Sequence, residues 1–173
     1  MGLIHVYTGD GKGKTTAAFG LAIRALGRGK KVAVIQFMKG TPSGEIIALT
    51  QVPDYKDKLK ISLFGGKKLV NPHNIQKKDI KEAKKALKEA GTSLKGNFDI
   101  VILDEINMAL AFGLINLEDV IKILEKKKKK TNIILTGRRA HLKIMEEADL
   151  VTEMRKIKHP FDKGVKAKKG IEY

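Results

Sequence analysis

The hydrophobic positions of this chain fall into short unbroken runs separated by longer stretches of helical spacing. Residues 3–8 form a brief β-rich apolar run that leads directly into glycines. Lys31 opens a second run, Val32-Ala33-Val34-Ile35-Gln36-Phe37-Met38, and Ile100-Val101-Ile102-Leu103 and Ile133-Ile134-Leu135 supply two more. Continuous rather than alternating hydrophobicity marks strands covered on both faces, as in parallel sheets. Between the first two runs, Ala17, Ala18, Phe19, Leu21, Ala22, Ile23, Ala25 and Leu26 leave little polar face. They predict a largely buried helix over residues 14–26, ended by Gly27 and Gly29.

The middle of the chain is less regular. Residues 60–64 are compatible with a strand, followed by a loop at 65–73. Ile80, Ala83, Leu87 and Ala90 then line one side of a charged amphipathic helix, expected to stop at Gly91. Leu117, Val120, Ile121 and Leu124 give a further helix, and a short helix precedes a last strand near residues 150–154. This alternation predicts a three-layer α/β domain with a mostly parallel sheet of about six strands. Neither a repeat nor a linker interrupts it, so residues 1–173 are read as one domain.

Composition narrows the class. The chain is 42% hydrophobic and 31% charged, a globular profile. No apolar run approaches the roughly 20 residues of a membrane span, and the N-terminus shows no secretory pattern. Cysteine is absent, which excludes disulfides and thiolate metal sites. A cytoplasmic protein without a membrane partner is expected. The formal net charge of +16 raises the question of polyanion binding. Its lysines, however, are spread over residues 77–88 and 126–130, with acids interleaved in the first stretch and no alternation with aromatics. That pattern describes a solvated lysine-rich surface and argues against a nucleic-acid platform.

Three segments at strand ends carry candidate chemistry. The first is Thr8-Gly9-Asp10-Gly11-Lys12-Gly13-Lys14-Thr15-Thr16, between a strand and a helix. A triphosphate needs converging N–H donors with no side chains in the way, and gains from a helix N-terminus. Lys14 supplies a mobile charge and the Thr15 hydroxyl a ligand for Mg²⁺. The usual spacing places a glycine where Thr8 stands, and here it follows one position later at Gly9. The second segment is the pair Asp104-Glu105, placed to hold a nucleotide-bound Mg²⁺ or, alternatively, to cap the next helix. The third is Thr136-Gly137-Arg138-Arg139, where Arg138 can reach a phosphate or an acidic substrate, because ligands sit outside the carboxyl ends of parallel strands. His5, His73, His141 and His159 show no spacing that suits a shared metal.

With these residues in place, the chain resembles the P-loop class of ATP:corrinoid (cob(I)alamin) adenosyltransferases. The resemblance rests on residues 9–20, on Val34-Ile35-Gln36-Phe37-Met38-Lys39-Gly40, on Leu103-Asp104-Glu105, and on Leu135-Thr136-Gly137-Arg138. Its most specific part is the tail from Ile157-Lys158-His159-Pro160-Phe161-Asp162 to Gly170-Ile171-Glu172-Tyr173. It implies a P-loop NTPase-like (RecA-like) fold and transfer of the 5′-deoxyadenosyl group of ATP to Co(I) of a reduced corrinoid, with release of triphosphate. It further implies Mg²⁺ (or Mn²⁺) held by Thr15 and Glu105, and nucleotide contacts from Gly9, Asp10, Gly11, Lys12, Gly13, Lys14, Thr15, Thr16 and Arg24. Gln36, Lys39 and Glu45 are implied on the nucleotide and corrinoid side, with Arg138 nearby. A flavin-type reductase supplying the electron and a homodimer also come with the family. One departure stands out. Members place aromatic residues in the loop after the third strand, where they displace the lower axial ligand of cobalt. The loop here is Phe64-Gly65-Gly66-Lys67-Lys68-Leu69-Val70, which leaves Phe64, Phe112 or Leu69 for that task. The rival reading is a RecA-like nucleic-acid-dependent ATPase.

Overall fold

The computed structural model describes residues 1–66 and 70–171. Leu69, Glu172 and Tyr173, which entered the reading of the sequence, lie outside the described residues. Six strands form one sheet: β1 (Ile4–Thr8), β2 (Val32–Gln36), β3 (Leu59–Leu63), β4 (Ile100–Asp104), β5 (Asn132–Thr136) and β6 (Leu150–Glu153). Their spatial order is β3-β2-β4-β5-β1-β6 and every pairing is parallel. The sheet is therefore wholly, not mostly, parallel. Each crossover must carry a helix or long connection, as the alternating pattern demanded.

Helices cover both faces. On one side lie α1 (Lys14–Leu26) and α2 (Gly44–Thr50), whose Ala18, Phe19, Ala22, Leu26, Ile46 and Leu49 pack on Val32, Val34, Ile102 and Ile134. On the other lie α3 (Lys77–Lys95), α4 (Ile106–Ala111), α5 (Leu117–Glu125) and α6 (Leu142–Glu146), over Val6, Ile35, Val101, Leu103, Ile133 and Leu135. The central strands β2 and β4 are buried at every position, which is why their sequences run apolar without a break. β6 is an edge strand, exposed along its whole length.

Two details depart from the sequence reading. α1 has the expected bounds but buries only one side; Ala17, Gly20 and Arg24 face outward and Ile23 is 50% exposed. Small apolar side chains on the outer side made the helix look covered all round. α3 runs on past Gly91 to Lys95, and Gly96 caps it. Gly91 instead lies within the helix beside α5, where a Cβ would stand 3.4 Å from Cγ2 of Ile123, an ordinary contact. The start of α3 is fixed by Gln76, whose backbone N–H donates to Asp79 Oδ2 at 2.9 Å in a capping box.

Candidate active site

The three chemistry-bearing segments meet at the carboxyl end of the sheet because β5 lies between β4 and β1 in a parallel array. β1 ends at Thr8, whose hydroxyl oxygen accepts the Ala140 N–H at 3.2 Å. That bond gives the irregular first position of the glycine loop a purpose: it fastens the loop to the turn after β5. Gly9 and Gly11 are needed for packing. A Cβ on either would fall 2.6 Å from the carbonyl oxygen of Met154, and that carbonyl accepts the Gly11 N–H at 2.6 Å. Gly13, at φ 118°, turns the chain into α1. Lys14 is buried, and its Nζ donates to the carbonyls of Gly9 at 2.7 Å and Gly11 at 2.6 Å. Burial lowers its pKa, with Arg138 acting the same way and Glu105 and Asp10 opposing.

The two adjacent carboxylates have different surroundings. Asp104, the last residue of β4, is 1% exposed. Its Oδ1 accepts from Thr15 Oγ1 at 2.9 Å and Thr136 Oγ1 at 2.7 Å, and its Oδ2 accepts from Gln36 Nε2 at 2.7 Å. One buried carboxylate thus ties α1, β2 and β5 together and aims the Thr15 hydroxyl. Glu105 follows in a left-handed conformation, φ 61°, with its N–H donated to Thr136 Oγ1 at 2.9 Å. Burial and the neighbouring Asp104 push its pKa up to about 7, against the pull of Lys14, Arg138 and Lys39. Met38, at φ 59°, and Arg139, at φ 56°, are also left-handed non-glycine residues, just after β2 and β5. Such backbone costs of order 1 kcal/mol or more apiece and clusters at functional sites. Here it redirects the chain at the ends of three neighbouring strands.

These segments enclose a cavity of about 700 Å³. Of the residues expected at the site, Asp10, Gly11, Lys12, Gly13, Lys14, Thr15, Thr16, Gln36, Lys39, Glu45, Glu105 and Arg138 line it. Gly9 and Arg24 do not; Arg24 stands exposed in the last turn of α1. Phe37, Met38, Val70, Met108 and Phe112 give the same cavity an apolar part of its lining. Of the two phenylalanines considered from the sequence, Phe112 lines the cavity and Phe64 does not, although both pack against the core. Ser43, His159, Gly170 and Ile171 also line the cavity, and none of the four was assigned a role from sequence. For His159 and the tail the signal was present, since that segment carried the most specific part of the resemblance. Ser43 sits in an ordinary turn sequence with nothing to distinguish it.

Two buried polar atoms of the wall, Gln36 Oε1 and Ser43 Oγ, have no protein hydrogen-bond partner among the described residues. A wall of this kind is built for a polar ligand, because such atoms are costly to leave unpaired. Among the described residues no group of three His, Cys, Asp or Glu side chains could cage a metal. Mg²⁺ needs no such cage: it takes one or two protein oxygens and completes its shell with phosphate and water. Thr15 Oγ1 and the neighbouring carboxylates are hard oxygen donors of that type, so the residues present fit the ion.

The ATP:corrinoid adenosyltransferase BtuR/CobO/CobP family model matches residues 1–173. A corrinoid adenosyltransferase of Escherichia coli (strain K12) is 38% identical, across 99% of this chain and 86% of that one. Corrinoid adenosyltransferase CobA of Salmonella typhimurium is 37% identical, with the same coverage of 99% and 86%. A corrinoid adenosyltransferase of Pseudomonas aeruginosa is 37% identical over 99% of this chain and 84% of its own length.

Proposed function

The chain belongs to the ATP:corrinoid adenosyltransferase family, and on that premise we propose how its cavity performs adenosyl transfer. The enzyme moves the 5′-deoxyadenosyl group of ATP to the cobalt of a reduced corrinoid. The observation that carries the proposal is a single cavity lined both by the phosphate loop, with Lys14 and Thr15, and by the apolar side chains of Phe37, Met38, Val70, Met108 and Phe112. Co(I) attacks the ribose 5′ carbon, the cobalt–carbon bond forms as the carbon–oxygen bond to the α-phosphate breaks, and triphosphate leaves with the electron pair. Co(I) is itself a strong nucleophile, so the protein supplies no attacking group and no general base. Its task is alignment of the two substrates and electrostatic support of a departing polyanion.

In this reading Lys12, Lys14 and the loop N–H groups hold the triphosphate. Thr15, aimed by Asp104, and Glu105 hold Mg²⁺ (or Mn²⁺), whose charge offsets that of the leaving group. Asp104 thereby joins the assignment as a positioning residue, its own oxygens occupied by three protein donors. Gln36, Lys39, Glu45 and Arg138 act where nucleotide and corrinoid meet, as does Ser43 through its unpartnered hydroxyl. Phe112 and Val70 offer the apolar face that excludes a lower axial ligand from cobalt, in place of the aromatic loop residues of other members. The exposed place of Arg24 on α1 separates it from the cavity wall, and a phosphate contact from it requires the long side chain to swing around the helix. A flavin-type reductase as electron donor, a homodimer and a cytoplasmic location complete the proposal; no helix among the described residues is long and apolar enough to cross a membrane. Incubating the enzyme with ATP and chemically reduced cobalamin tests the proposal: triphosphate and a cobalt–carbon product support it, and ADP with phosphate overturns it.

A further inference from the structure

The chain after β6 does not leave the domain. It runs as a strap across the phosphate loop. At its start the Met154 carbonyl accepts the Gly11 N–H, and at its far end the Ile171 carbonyl accepts from Lys12 Nζ at 2.6 Å. Between these points the strap is solvent-exposed, with only Met154 and His159 partly covered, and it is shaped by its own turns. Lys156 pairs with Asp162 at 2.8 Å, the Val165 N–H donates to the Pro160 carbonyl at 3.2 Å, and Gly170 turns at φ 79°. His159 Nδ1 accepts the Phe161 N–H at 3.1 Å, which leaves the ring proton on Nε2 as a donor, and this residue lines the cavity with Gly170 and Ile171. Over residues 155–171 the strap carries Arg155, Lys156, Lys158, Lys163, Lys166, Lys168 and Lys169 against one acid, Asp162.

We propose that residues 155–171 form a clamp for the polyphosphate of the bound nucleotide, fastened to the loop through Lys12 and closing the cavity from the solvent side. The inference rests on the reading that the loop binds triphosphate. Three features carry it. The strap is bonded at both ends to the loop, so a loop filled by phosphate and a closed strap favour each other. Its charge is complementary to a polyanion. Among the described residues it is exposed along nearly its whole length and buries little surface, which leaves it only weakly held without one. Lys12 has three donors on one nitrogen and can bridge the Ile171 carbonyl and a phosphate oxygen together.

The strap's lysines are trypsin sites, so its closure can be read directly as the rate of C-terminal trimming by intact-mass spectrometry. Tripolyphosphate with Mg²⁺ is the probe, its binding measured separately by calorimetry, and adenosine is the contrasting ligand. At about ten times its dissociation constant, tripolyphosphate should slow cleavage after Lys163, Lys166, Lys168 and Lys169 about tenfold. Cleavage within residues 126–130 should stay unchanged, and adenosine should protect nothing. Gly170→Val forces a β-branched residue into left-handed backbone and displaces the Ile171 carbonyl. That variant should melt like the parent yet trim rapidly with or without tripolyphosphate. Bound tripolyphosphate with undiminished trimming, equal protection by adenosine, or full protection in Gly170→Val overturns the clamp. Failure of tripolyphosphate to bind overturns both the clamp and the loop assignment, whereas binding and protection without adenosyl transfer overturn only the proposed activity.

Discussion

Replacing Asp104 by alanine should damage the fold before it affects any chemistry. The carboxylate is 1% exposed and accepts three hydrogen bonds, from Thr15, Thr136 and Gln36, at 2.7–2.9 Å. Truncation strands two buried donors, the Thr136 hydroxyl (0% exposed) and the Gln36 amide (3% exposed), while Thr15 can turn to the cavity. Each stranded donor costs about 1–3 kcal/mol. Water entering from the cavity recovers part of this, and the loss of a like charge beside Glu105 recovers more. The net expectation is a loss of about 2–4 kcal/mol. Asp104→Asn should cost far less, on the order of 1 kcal/mol. One Asn oxygen can still serve both hydroxyls, and the Gln36 amide can reverse so that its now unpartnered Oε1 accepts the new NH₂. The chain has no tryptophan, so urea unfolding followed by far-UV circular dichroism is the suitable assay. A shift in midpoint at constant slope would report stability. If Asp104→Ala lies within about 0.5 kcal/mol of the parent, or if Asn is as harmful as Ala, the carboxylate does not hold these elements together.

Glu105 predicts the opposite behaviour. Its folded pKa of about 7 lies above the ordinary value of 4.5, so the folded state binds the proton more tightly. That contribution is fully present below the unfolded pKa and is lost as pH rises through 7, by at most about 3 kcal/mol. Glu105→Gln should therefore match the parent near pH 4 and be more stable than it by up to that amount at pH 8; a pH-independent difference refutes the assignment. Lys14→Ala should cut adenosyl transfer at least about a hundredfold, as expected when a charge facing a leaving polyanion is removed, and undiminished turnover would place the phosphates elsewhere. Phe112→Ala should raise the KM for corrinoid while leaving ATP affinity unchanged, a split that a general loss of structure would not produce. Gly91→Ala should stabilise the protein by up to about 1 kcal/mol, since the added methyl meets Ile123 at ordinary contact distance, and a lower melting temperature would show that α3 and α5 cannot accommodate it.

Most of the sheet could be read from the chain because parallel strands bury both faces, so β2, β4 and β5 advertise themselves as unbroken apolar runs. The phosphate loop was legible for a related reason: a polyanion held by backbone groups demands glycines in a fixed order. Less legible was everything decided by neighbours distant in sequence. Nothing local says that Asp104 rather than Glu105 receives Thr15, since the choice depends on which side of β4 faces α1 and β5. α2 and α4 are too short to show a helical period, and Gly91 reads as a stop until α5 is seen beside it. The part played by Ile171 is hidden for the same reason. A backbone carbonyl carries no side-chain signature, and its partner Lys12 lies at the other end of the chain.

The central claim is that the loop holds a triphosphate that leaves intact. Following ATP through a single turnover with chemically reduced cobalamin, by phosphorus NMR of the products, tests it most directly. Stoichiometric inorganic triphosphate with an adenosylated corrinoid is the predicted result; ADP with phosphate or a phosphorylated corrinoid, or pyrophosphate with an adenylylated corrinoid, would contradict it.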